Sequence, residues 1–147
     1  SNDFELWISG PGDATTIKMT LLADKRIKFY GLLPDYQLTR LYQKATVFLN
    51  PRPIKMPGNE YNFPSKLFDY LAWKKPIIST WTKSLTAEYK NILHITKDSP
   101  KDFANAMVLY INNKQKKLKV NKNFEKKKNW ENQAQRLILF LNKVIKK

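Results

Sequence analysis

Ser65, Lys66 and Asp69 stand close together in the segment NEYNFPSKLFDYLAWKKPIIST, residues 59–80, just after a Pro/Gly-rich stretch. A hydroxyl, an ammonium and a carboxylate at this spacing suit a nucleotide. If Pro64-Ser65 opens a helix, its first turn offers free N–H groups and a partial positive charge to a phosphate. Lys66 would neutralise a diphosphate as a point charge and favour its departure as a leaving group. Asp69, slightly further in, is placed to take a ribose diol, as acidic residues do in other nucleotide sites. The plainer reading of the same three residues is a helix cap, a surface lysine and an exposed helix acid.

Other chemistries find less support. Gly10-Pro11-Gly12 resembles the start of a dinucleotide loop, but Thr15 stands where G-x-G-x-x-G needs its third glycine, so a tight turn competes with it. No G-x-x-x-x-G-K-[ST] stretch occurs. The single histidine, His94, falls inside an expected strand and reads as a core or edge residue; no G-x-S-x-G elbow accompanies it. With no Cys and one His, the ligands and spacing of a metal site are missing, and no cofactor is expected. Gly10, Gly12 and Gly31 remain as places where a ligand meets backbone closely.

The elements that must position these residues alternate along the chain. Residues 4–9 (FELWIS) read as a buried strand, and residues 15–23 as a helix with Ile17, Leu21 and Leu22 on one face. Residues 26–30 (RIKFY) alternate like a strand. Asp35 then caps a helix whose face is Leu38, Leu41, Tyr42 and Ala45. Residues 46–49 (TVFL) form the next strand, and the Pro-rich stretch 50–63 is long enough to be functional. The helix after it carries Leu67, Phe68, Leu71 and Ala72 as its expected buried face, and residues 77–80 return as a β-branched strand. A short helix at 85–90, a strand at 93–96 and a helix opened by Ser99-Pro100 follow, the last with Phe103, Met107, Leu109, Tyr110 and Ile111. Residues 112–129 are polar and Lys-rich, helical in part. Residues 130–145 form an amphipathic helix with Trp130, Ala134, Leu137, Ile138, Leu141 and Ile145 on its face.

Five alternations of strand and helix predict an α/β, Rossmann-like three-layer sandwich with a parallel sheet, plus extra C-terminal helices. Right-handed crossovers then put loops 10–13, 31–34, 50–64 and 80–84 at the C-terminal ends of strands, where ligands sit in open α/β sheets. The expected division is a Rossmann-like domain over residues 1–112 and a Lys-rich helical segment over 113–147 packing on it. At 147 residues, with 42% hydrophobic and 13% aromatic residues, the chain is long enough and apolar enough to fold around a core. No apolar run reaches the length of a membrane span. The net charge of +15 is uneven: residues 114–147 hold twelve Lys/Arg against Glu125 and Glu131, +10 of the total. Such a segment is a solvated Lys-rich surface, a contact for an anionic cytoplasmic membrane surface, or a nucleic-acid patch. The tail lacks the interleaved aromatics of a single-strand platform, so nucleic acid is the least favoured.

Taken in order, WISGPGD, RIKFYGLLPDYQLTRLYQKATVFLNP and FPSKLFDYLAWKKPIIST resemble the C-terminal half of a group 1 retaining glycosyltransferase, a family with two Rossmann-like domains (the GT-B fold). The similarity covers residues 4–112, and its most specific part is the FPSKLFDYLAWKKPIIST phrase. The resemblance implies a domain that binds a nucleoside-diphosphate sugar, in an enzyme of polysaccharide or glycolipid synthesis. Asp69 matches the second acid of the family's Glu-x7-Glu motif, which contacts the ribose. The first acid falls on Tyr61, with Glu60 one place earlier. Phe63, Pro64, Ser65 and Lys66 correspond to the loop at the diphosphate and sugar, and the loop with Gly31 and Leu33 to the segment near the base. The resemblance further implies retaining transfer without a protein-bound metal, an acceptor domain and a first strand–helix unit upstream of Ser1, and no turnover by this chain alone. It also implies a cytoplasmic protein, peripheral on the membrane. A GT-B nucleotide-sugar epimerase fragment and a basic nucleic-acid-binding module are the competing readings.

Overall fold

The computed structural model describes residues 4–112 and 129–145. The Lys-rich stretch 113–128, expected to be helical in part, lies outside the described residues, as do the side chains of Leu21 and Leu22. Strand and helix alternate as β1 (Leu6–Ile8), α1 (Ala14–Ala23), β2 (Ile27–Phe29), α2 (Asp35–Lys44), β3 (Phe48–Asn50), α3 (Lys66–Ala72) and β4 (Ile77–Thr80). A 3-10 turn (Ala87–Asn91), β5 (His94–Thr96), α4 (Pro100–Asn112) and α5 (Trp130–Ile145) complete the order. Every described strand pair is parallel and helices flank the sheets, which is an α/β, Rossmann-like arrangement. The chain forms two compact units, Ser1–Thr46 and Val47–Lys147.

In the first unit β1 pairs with β2, Trp7 opposite Lys28. Residues 4–9 (FELWIS) are expected to form a buried strand. The ladder covers only Leu6–Ile8, Leu6 and Trp7 are half-buried, and Ile8 is exposed. A strand with one hydrogen-bonded neighbour leaves its outer side unlined. Between α1 and β2, Asp24 accepts from the backbone N–H of Arg26 (2.9 Å) and from its guanidinium (2.6 Å), closing the turn. The cap of α2 differs from expectation. Pro34, extended at φ −60° and ψ 151°, holds the cap position, and its carbonyl accepts from Gln37 and Leu38. Asp35 is the first helical residue, where its charge suits the helix dipole, with Lys44 in the last turn.

In the second unit the sheet order is β3-β4-β5, and β4 is buried along its length. Successive strand residues face opposite sides of a sheet. Leu49 and Ile78 therefore meet Phe103, Ala106, Met107 and Tyr110 of α4 on one side. Phe48 turns to the other, where Tyr70 of α3 stacks on it at 4.5 Å and 4° between planes. Leu67 and Leu71 are buried with it, so α3 packs through positions 67, 70 and 71. Phe68 and Ala72, expected on that face, are exposed. In α4, Ser99 caps as expected, its Oγ accepting from the Asp102 N–H (3.3 Å) and its carbonyl from Phe103. Ala106 takes the buried position on that face, and Leu109 is exposed. Helix α5 forms where the periodicity places it, but no residue of it is buried, and Trp130, Ala134, Leu137, Ile138, Leu141 and Ile145 are all exposed.

The turn from α3 into β4 carries backbone strain. Lys74 has φ 53°, and its N–H donates to the Leu71 carbonyl at 3.1 Å. A side chain in the left-handed region crowds its own carbonyl, which is why helices usually end on glycine there. Lys74→Gly is expected to raise stability by about 1 kcal/mol, read as a higher midpoint in urea denaturation.

Candidate functional site

In the second unit, the buried core of the sheet determines how the chain leaves β3. Ser79 and Thr80 at the end of β4 are buried, and buried hydroxyls need partners inside the protein. Asn50 Nδ2 donates to Ser79 Oγ (2.8 Å), which donates to the Thr80 carbonyl (2.8 Å). Thr80 Oγ1 accepts from the Arg52 N–H (3.0 Å) and donates to the Arg52 carbonyl (2.9 Å), holding that residue's backbone on both sides. The Ile54 N–H then reaches Asp98 Oδ2 at 2.7 Å, beyond β5, and Asn59 folds back onto the Pro53 carbonyl. The long loop is therefore tethered across the C-terminal ends of β4 and β5.

The loop re-enters the core at Phe63-Pro64. Pro64 is fully buried, and the Phe63 ring lies between Phe68 of α3 (5.1 Å) and Tyr89 of the 3-10 turn (5.8 Å). Tyr89 is itself almost wholly buried, which pushes its phenol up to about 12. These apolar anchors hold the next residues outward. Ser65, Lys66 and Asp69 are all exposed. The Ser65 backbone is already helical (φ −54°, ψ −31°) and its hydroxyl makes no cap bond, contrary to the cap reading. The Pro64 and Ser65 carbonyls instead accept from Leu67 and Phe68 in tight three-residue bonds. An ammonium and a carboxylate thus stand on one short helix with the Ser65 hydroxyl at its start, and burial of Leu67 and Leu71 fixes that helix.

Glu60 and Tyr61 meet a residue that the sequence did not single out. Lys83, in the loop after β4, pairs with Glu60 Oε2 at 2.9 Å, and its backbone N–H donates to the Glu60 carbonyl. Its ammonium also approaches the Tyr61 hydroxyl at 3.4 Å and lies 4.9 Å from that ring's centroid. The Lys83 ammonium, helped by the Tyr61 hydroxyl, holds the Glu60 carboxyl below the usual carboxylate range, and Glu60 raises Lys83 in turn. No local spacing signals such a pair, because its partners come from loops after two different strands.

In the first unit the two glycine turns are joined. The Gly10 N–H and the Ser9 hydroxyl both donate to the Gly31 carbonyl at 2.9 Å. Gly10 at φ 139° and Gly31 at φ 64° adopt backbone that favours glycine. Gly12 is needed for packing, since a Cβ there would strike the Ile17 side chain, and Leu33 is half-buried. His94 sits on β5 with Nδ1 3.3 Å from the Tyr110 hydroxyl, a packed strand residue as expected. Among the described residues no cluster of three or more His, Cys, Asp or Glu is arranged to hold a metal ion. No described helix is long and apolar enough to cross a membrane.

The family described as "Glycosyl transferases group 1" matches residues 1–113. The chain belongs to the group 1 glycosyltransferases. No curated protein matches it. Family membership makes the protein a transferase of glycosyl groups and implies a nucleotide-sugar donor. In this group 1 glycosyltransferase the Glu60–Lys83 pair responds to acid. Folding lowers the Glu60 pKa from its ordinary 4.5, so the pair's contribution is complete above that value and is lost as pH falls through the folded pKa. NMR titration of the Glu60 carboxyl should give a midpoint below 4.5, and Lys83→Met should return it toward the ordinary value.

Proposed function

We propose that this chain is the donor-binding half of a retaining glycosyltransferase acting in polysaccharide or glycolipid synthesis. The observation that carries the reading is the Phe63-Pro64 anchor. It fixes Lys66 and Asp69 on α3 with exposed side chains, next to the loop that crosses the strand ends. In this reading Lys66 meets the diphosphate and Asp69 the ribose diol, with the Ser65 hydroxyl beside them. The ammonium gains most when charge develops on the departing diphosphate, which is where a positioned cation lowers a barrier. Residues 1–112 then form the donor domain. Transfer requires an acceptor-binding domain as well, so the chain alone binds donor without turning it over.

Calorimetry with uridine, guanosine and adenosine diphosphate sugars tests this. One of them is expected to bind, and Asp69→Ala and Lys66→Ala are each expected to weaken it about tenfold, the scale of a lost charge-assisted hydrogen bond. Full affinity in both variants would count against the site.

The exposed apolar face of α5, with Arg136 and Lys143 on its polar side, supports a second reading. We propose contact with an anionic membrane surface on the cytoplasmic side, which an amphipathic basic helix suits. Flotation with liposomes containing anionic lipid should recover more protein than with neutral liposomes; equal recovery would sink the idea.

A further inference from the structure

Helix α5 spans 16 residues, Trp130–Ile145, and none of them is buried. At about 100° per residue, its apolar side chains gather on one side. From Phe140 through Leu137, Trp130 and Leu141 to Ile138 they fill an arc of about 160°, interrupted only by Gln133. Glu131, Gln135, Arg136, Asn142 and Lys143 lie on the rest of the circumference. Leu139 is the exception. It stands opposite the centre of the arc, yet it is exposed at 62%, close to Leu137 at 58%. Two leucines of nearly equal exposure thus differ in helical phase.

An arc this wide exceeds the narrow seam of a coiled coil. The surrounding charge also argues against a second copy of this chain as its cover. Eight Lys against Glu125 precede α5 at residues 114–128, and Lys146 and Lys147 follow it. A copy docked on the arc would bring two such segments together, whereas anionic headgroups would neutralise them. The helix is about 24 Å long, short of the ~30 Å apolar core of a bilayer, so it suits the interface and not a crossing.

We propose, on the membrane reading above, that α5 lies in the plane of an anionic bilayer with this arc among the acyl chains and Leu139 in the water. Attachment then takes two signals. The basic residues on either side of α5 bring the chain to acidic headgroups, and the arc holds it there by apolar burial. Charge alone is screened by salt, and the arc alone has no preference for acidic lipid. Residence on the membrane is therefore set jointly by its content of acidic lipid and by the phase of the α5 leucines.

The chain has no cysteine, so each single-cysteine variant of the full chain can carry one spin label. The variants are bound to phosphatidylcholine liposomes containing phosphatidylglycerol. Labels at Leu137→Cys, Leu141→Cys and Val144→Cys are expected to collide with oxygen, which concentrates among acyl chains. The label at Leu139→Cys should collide with a water-soluble nickel complex instead. In flotation, Leu137→Gln is expected to lower the partition coefficient about tenfold, and Leu139→Gln to change it less than about twofold. If all four labels meet the nickel complex, attachment is electrostatic only and the insertion is overturned. A Leu139→Cys label as shielded as the others, or equal effects of the two Gln variants, would overturn the in-plane orientation. If the unmodified chain floats no better with phosphatidylglycerol than without it, the membrane reading itself fails and this inference with it, an outcome recognisable before any variant is made.

Discussion

Strand β4 is buried over its whole length, and most of the second unit follows from that burial. Its two isoleucines are both fully buried, Ile78 against α4 and Ile77 beside Phe48 on the opposite side of the sheet. Its two hydroxyl residues are then cut off from solvent, and a buried hydroxyl without a partner is costly. Ser79 and Thr80 find partners in Asn50 and in both backbone groups of Arg52. The path of the chain after β3 is therefore not free. It leaves along the strand ends, and the crossing loop with its charged residues comes to lie where ligands bind in parallel sheets.

The loop that results has an apolar end and a polar end with different mechanics. Phe63 and Pro64 are held by ring contacts and burial, which involve no charged group. Glu60 and Tyr61 are held by the Lys83 backbone N–H and by its exposed ammonium, and salt screens the second of these. The rigid end runs directly into Lys66 and Asp69 of α3, and the other end carries Glu60 and Tyr61.

Much of the fold was legible in the residues. Apolar runs and turn signals located the strands and helices, β4 to the residue, because β-branched side chains between a proline and a polar loop leave few alternatives. The errors lie where a neighbour decides. Phe68 and Ala72 fit a helical stripe as well as Tyr70 does, and only the Phe48 ring selects Tyr70. Asp35 fits a cap as well as a first-turn acid, and the extended Pro34 took the cap. In α5 the apolar periodicity was correct as a helix signal but could not say what, if anything, covers that face.

The sequence by itself determined the α/β class, the family, and the candidacy of Ser65, Lys66 and Asp69, since each depends on residue types at short spacing. Tertiary structure alone decided that Thr80 clamps Arg52, that Phe63 is wedged between α3 and the 3-10 turn, and that Lys83 holds Glu60 and Tyr61. Those pairings join residues far apart in the chain. Local propensity carries no trace of them; they come from two loops leaving neighbouring parallel strands in the same direction, which brings their side chains together only once the sheet has formed.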